Sequence, residues 1–267
     1  MYLVAITRWS AERSLEQELP ELAPAMRLPL YDARLRLSGP PPLVLATGLD
    51  LQAAQTLLGA LRGRGHGAVA CSTASIPSVD SASVVRRFEL RRDALALIDQ
   101  RGRPALAPYP EIMGLIRAAE LTSEVASVEI VEKKLALGRA ALTGGLLRSK
   151  QVKSEQTHES SERQDVIYLF RSTTAEPIVL KERELAYLGL GEARGSTVRE
   201  SFAALLAALR RHAPQAIYDE RLLAAKRRLD LAGVEAGAKR RVVTNSNGAA
   251  NLLAAFLLMH AHVQAQV

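Results

Sequence analysis

Residues 3–7 and 43–47, each four apolar residues followed by threonine, form two short β-prone runs, the second following the stiff Pro40, Pro41, Pro42 stretch. Asp50 then stands as a helix N-cap, and Leu51, Ala54, Leu57, Leu58 and Leu61 recur at helical spacing until Gly63 and Gly65 stop the helix. Residues 68–71 return as a strand, so 43–71 reads strand, helix, strand. Residues 72–83, rich in serine and containing Pro77, read as a linker, which places a domain boundary near residue 80. Beyond it, 84–90 and 94–98 are β-prone around Arg91, Arg92 and Asp93, and 100–103 is a glycine-containing turn. Residues 108–118 set Ile112, Leu115 and Ile116 on one helical face, while 125–131, 166–170 and 178–180 add strands. An amphipathic helix over 197–211, bearing Phe202, Leu205, Leu206 and Leu209, closes the region before Pro214.

Two stretches depart from this grammar. Residues 135–147 carry one charge, Arg139, inside a region otherwise full of Lys, Glu, Ser and Gln. With Val152 as the only aliphatic residue of 149–165, the flanks cannot belong to a core, so 125–134 and 149–158 are expected to project as the arms of a hairpin or helical pair. Its apolar tip would hold Leu135, Leu137, Leu142, Leu146 and Leu147, each gaining on the order of 1.5 to 3 kcal/mol if fully buried. Lys133, Lys134, Arg139, Arg148, Lys150 and Lys153 surround it as candidate anion contacts. The second stretch, 249–259, is apolar almost all round and follows Asn245, Ser246, Asn247 and Gly248, which read as a turn and cap; a helix of that kind requires burial.

The element 43–71 resembles the ferredoxin-like halves of small regulatory modules. Residues 84–212 resemble a bacterial pleckstrin-homology-like (PH-like) domain, on Phe88-Glu-Leu90, Leu95-Ala-Leu-Ile-Asp-Gln-Arg-Gly102, Pro108-Tyr-Pro-Glu-Ile112 and 165–170 before the long helix. That resemblance implies a binding domain for lipids, peptides or proteins, without catalysis. The expected fold is therefore α+β: a small α/β (ferredoxin-like) N-terminal unit, 1–80, then an antiparallel PH-like barrel, 84–218, with a long inserted hairpin, 122–164, and a helical C-terminal tail, 219–267.

Charge changes this picture little. The net charge of +7 arises from 35 basic residues, 28 of them arginine, and a bias toward arginine, alanine and leucine is the simpler source of the excess. Lys226-Arg-Arg228 and Lys239-Arg-Arg241 read as solvated charge, and the 11 aromatic residues are not interleaved with them as a stacking surface for single strands requires, so nucleic acid is disfavoured. With Cys71 alone, no disulfide forms within the chain and no thiolate cluster holds a metal, which favours a reducing compartment. Residues 1–7 lack the preceding positive region and cleavage site of a signal peptide, and no apolar run approaches the roughly 20 residues that span a bilayer.

Candidate chemistry is sparse. His158-Glu-Ser-Ser-Glu162 opens like a zinc-protease helix motif but ends in Glu and has no apolar backing, while His260 and His262 at i and i+2 of a helix do not converge. No nucleophile elbow, phosphate loop or dinucleotide fingerprint is present. The expectation is a non-enzymatic cytoplasmic interaction module without cofactor or metal, self-associating as a homo-oligomer through the tip 135–147, the C-terminal helix, or both. The alternatives are an adaptor peripheral to the inner membrane, inserting the tip into anionic lipid, and a non-specific nucleic-acid binder.

Overall fold

Strand β1 (Tyr2–Arg8) lies between β2 (Leu43–Leu49) and β3 (Gly67–Ser72), antiparallel to both. The outer strands therefore run parallel to each other and are joined by helix α3 (Leu51–Gly63), a split strand-helix-strand unit. Asp50 caps α3 by accepting from the Ala53 amide at 2.7 Å, and Gly65 continues the exit at φ 82°. Two more helices precede β2: α1 (Leu15–Met26) and α2 (Leu30–Leu37). A Ser14–Gln17 capping box starts α1, and Arg27 ends it in the left-handed conformation. Leu19, Leu22 and Met26 of α1, Ala33 and Leu37 of α2, and Ala54 and Leu61 of α3 pack with Val4, Ile6 and Leu45 as one core.

The computed structural model describes the backbone of residues 1–135, 149–224, 230–234 and 240–265, and the side chains of 1–123, 161–224 and 246–265. Two units result, one made of Met1–Glu120, Gln164–Arg228 and Gly248–Val267, the other of Leu121–Arg163 and Leu229–Asn247. The first contains the three-stranded sheet and a second, mixed sheet of seven strands. These are β4 (Ser83–Leu90), β5 (Ala94–Asp99), β6 (Pro104–Pro108), β7 (Ile112–Leu135), β8 (Ser149–Arg171), β9 (Ile178–Lys181) and β10 (Ile217–Leu222). Their order is β10-β7-β8-β9-β4-β5-β6, with β10 parallel to β7 and β4 parallel to β9. Strands β7 and β8 run on into the second unit, where β12 (Arg240–Ser246) pairs with β7 and β11 (Asp230–Val234) pairs with β12.

Both faces of the seven-stranded sheet are covered, and β8 shows why. Ile167 and Leu169 point into the core built by α4 (Val198–His212) through Phe202, Leu205 and Leu209. Val166, Tyr168 and Phe170 point the other way, against Leu252, Ala255 and Leu258 of α5 (Gly248–Ala265). Helix α5 also sends Leu257 into a cluster with Leu3, Ala5, Val69 and Cys71 of the first sheet. Its largely apolar sequence is thus explained by burial against two sheets of the same chain.

Three expectations need correction. The antiparallel barrel is an open, mixed sheet: β6 and β10 end it without pairing to each other, and two of its neighbouring pairs are parallel. Residues 108–118 are not one helix: a single 3-10 turn at Tyr109–Glu111 leads into β7, where Ile112 and Leu115 enter the α4 core while Ile116 enters the α5 core. A strand buried on both faces mimicked helical spacing there. The segment 219–267 is not purely helical either, because β10, β11 and β12 take up much of it before α5 begins.

Candidate interaction surface

A sheet edge exposes unpaired N–H and C=O groups, and four strands of the larger unit lie at edges: β2, β3, β6 and β10. Three of them are protected. On β3, Arg62 donates to the Ala68 carbonyl at 3.1 and 3.2 Å, and His260 of α5 lies 3.2 Å from the Ala70 carbonyl oxygen. Strand β6 starts and ends in proline, and Arg171 reaches the Leu106 carbonyl at 3.5 Å. Strand β10 carries the charged Asp219, Glu220 and Arg221. By contrast β2, Leu-Val-Leu-Ala-Thr-Gly-Leu, has no charge and no proline, and among the described residues no side chain hydrogen-bonds to its backbone. Its backbone is irregular at the register shifts against β1 around Val4 and at Gly48, whose φ is 74°.

Helix α2 lies beside this strand. Ala33 and Leu37 anchor it, buried in the core, while Leu30, Tyr31 and Leu35 remain 57%, 70% and 55% exposed. Eight residues give α2 barely two turns, so one buried stripe holds it and the remaining apolar side chains face outward. A cleft of about 680 Å³ joins the elements, lined by Leu35, Asp32 and Arg36 of α2, Pro40 and Pro42, Leu43 and Val44 of β2, and Leu253 and Leu257 of α5. A smaller one of about 160 Å³ runs along 45–49 with Arg27 and Arg36 in its wall. Leu35 of the exposed helix, the N-terminal part of the β2 edge and the cleft adjoin one another, with Asp32 and Arg36 as charged groups among the apolar ones.

The buried charges elsewhere serve to hold elements together. Glu18 of α1, fully buried, receives Arg13 at 3.2 Å and Arg64 at 2.8 Å, with His66 Nε2 at 3.3 Å. Burial alone would raise its pKa, but hydrogen bonds from Arg64, His66 and Arg13 outweigh that and hold the carboxyl below its usual range. His66 Nδ1 accepts from the Ser10 amide at 3.0 Å, so the neutral ring carries its proton on Nε2, toward Glu18. Enclosed against Trp9, this imidazole is no surface base. Asp219 meets Arg221 at 2.6 Å and His262 of α5 at 3.0 Å, and Arg221 also donates to the Thr7 carbonyl, which ties α5, β10 and β1 together. Here too burial opposes ionisation, and the bonds from Arg221 and His262 lower the pKa. Glu120, Gln164 and Lys181 form a third group; the neighbouring carboxylates Glu120 and Glu184 raise the Lys181 pKa against its burial.

Of the residues singled out from the sequence, the tip is not brought into view. Leu135, Leu137, Leu142, Leu146, Leu147, Lys133, Lys134, Arg139, Arg148, Lys150 and Lys153 all lie outside the residues whose side chains are described, although 133–135 belong to β7 and 150 and 153 to β8. Lys226-Arg-Arg228 also lies outside the described residues, and Arg240 and Arg241 are on β12. His158 and Glu162 fall on a strand, which does not give the helical spacing the zinc motif needs. His260 and His262 take separate partners, Ala70 and Asp219, and among the described residues no cluster of three His, Cys, Asp or Glu side chains is placed to hold a metal ion. The C-terminal helix, expected as one route of assembly, spends its apolar side chains on its own chain. Among the described residues no helix is long and apolar enough to cross a membrane. The residues that sequence reasoning missed are those of α2; the signal was Leu30, Tyr31, Leu35 and Leu37 within eight positions, more apolar groups than one narrow stripe can bury.

Comparison with protein-family models, with curated proteins and with solved structures finds no match to this chain.

Proposed function

We propose that this protein is a non-enzymatic interaction module that assembles with a second copy of itself through the surface of α2 and the β2 edge. The observation that carries the reading is the contrast among edges: β3, β6 and β10 are covered, proline-capped or charged, whereas β2 is uncharged and flanked by exposed Leu30, Tyr31 and Leu35. Pairing edge to edge and covering those side chains would satisfy both the backbone groups and the apolar surface. The same reading treats the three-stranded unit as ferredoxin-like, supported by its split strand-helix-strand element, and β4–β9 with α4 as an opened PH-like arrangement, supported by two three-stranded runs followed by one amphipathic helix.

Sedimentation velocity of the full chain over a dilution series tests this. A reversible dimer whose fraction rises with concentration supports it. A single monomeric species up to about 100 micromolar, a range in which even a weak specific dimer populates, overturns it.

A further inference from the structure

Resting on the self-association reading, we infer that α2 meets α2 of a second copy in antiparallel register, with Asp32 and Arg36 as the pair that sets the register. Helix α2 has four charged or phenolic exposed groups, and their partners differ. Arg34 is held by Glu16 at 2.8 Å within the chain. Asp32 and Arg36 are both exposed, and among the described residues neither makes an ion pair, even with the other. Four positions apart, they share one helical face with Leu35, about 6 Å from each other along the axis. That face also lines the larger cleft.

The charge order on this face is self-complementary in one orientation only. A two-fold axis crossing α2 at the level of residue 34 places Asp32 of each copy against Arg36 of the other, so that two opposite-charge contacts bracket the two Leu35 side chains. Parallel pairing in register sets Asp32 on Asp32 and Arg36 on Arg36, and like charges so placed disfavour the complex. The helix alone is too small to supply the roughly 800 Å² per partner of a stable interface, which is why the cleft walls and the β2 edge beside it belong to the same contact. Tyr31, more exposed than Leu30 and Leu35, is available to enter the cleft of the other copy.

The experiment uses two charge reversals in the full chain, D32K and R36E, each on an exposed position, with thermal melts to verify the fold and D32N and R36Q as milder substitutes. D32K presents two cations to its own copy and R36E two anions, so each alone is expected to weaken self-association about tenfold or more relative to the unsubstituted chain. Mixed in equal amounts, D32K and R36E restore both opposite-charge contacts, and the expected product is a heterodimer of unsubstituted strength, read by sedimentation velocity with one partner fluorescently labelled. If the unsubstituted chain dimerises and neither reversal weakens it, or if the mixture fails to recover, the register is overturned while self-association stands. If the unsubstituted chain stays monomeric, both readings fall together.

Discussion

Replacing Leu35 by Ser probes the surface without touching the core. Leu35 is 55% exposed in the single chain, whereas Leu37, two residues on, is buried at 1%. Full burial of a leucine side chain is worth about 1.5–3 kcal/mol, so covering the exposed half of Leu35 contributes about 1 kcal/mol. In a two-fold contact the substitution acts twice, giving about 2 kcal/mol, or roughly a 30-fold rise in the dimer dissociation constant. Folding is hardly affected, because an exposed substitution of this kind costs within about 0.5 kcal/mol, a shift of about 1–2 °C in Tm for a chain of this size. Dissociation constants from sedimentation velocity and melting curves followed by circular dichroism give both numbers on the same samples. A dimer weakened less than about threefold would refute the placement of Leu35 in the contact. A melting temperature lower by about 10 °C would show instead that Leu35 is part of the core.

Thr47 is an exposed position on β2, and Thr47→Lys adds the kind of charge that β10 already carries; weaker self-association at unchanged stability is the expected result, measured by the same dilution series. Glu18→Gln is expected to lower stability at neutral pH by about 1–3 kcal/mol, since Arg64 and Arg13 lose a buried charged acceptor. Because the Glu18 carboxyl is held below its ordinary 4.5, its contribution is complete above that pH and fades as pH falls through the lower folded value, so urea unfolding should show the two proteins converging on acidification below 4.5. Phe202→Ala empties a 1%-exposed site of the α4 core and should cost about 3–5 kcal/mol in chemical denaturation, with no specific effect on self-association at temperatures where the variant is folded.

Elements with one dominant local signal were legible in the sequence. Asp50 and the spacing of Leu51, Ala54, Leu58 and Leu61 announced α3, and the helix forms with that cap. The run at 197–211 corresponds to α4, whose Thr197 and Glu200 make a capping box. Strands β4, β5 and β9 and the 166–170 end of β8 followed from β-branched and aliphatic runs. Helix α1 was not anticipated; it contains Pro20 and Pro24, both exposed, and Leu19, Leu22, Ala23 and Met26 on the opposite side bind the helix to the core despite two lost amide donors. The open sheet could not be foreseen because the β9–β4 and β10–β7 pairings join segments far apart in sequence. The excess of apolar groups on α2 was present in the sequence, but which of them are exposed was not: whether Leu30, Tyr31 and Leu35 are core or surface depends on which face Ala33 and Leu37 bury, and that is decided by α1 and β1.

Hydrogen–deuterium exchange of the full chain, followed peptide by peptide at low and high protein concentration, locates the contact directly. Amides of α2 and β2, residues 30–49, are expected to slow as concentration rises, while those of β3, β6 and α4 keep the same rates. Protection that rises elsewhere and leaves 30–49 unchanged, or rates independent of concentration throughout, would contradict this placement of the contact.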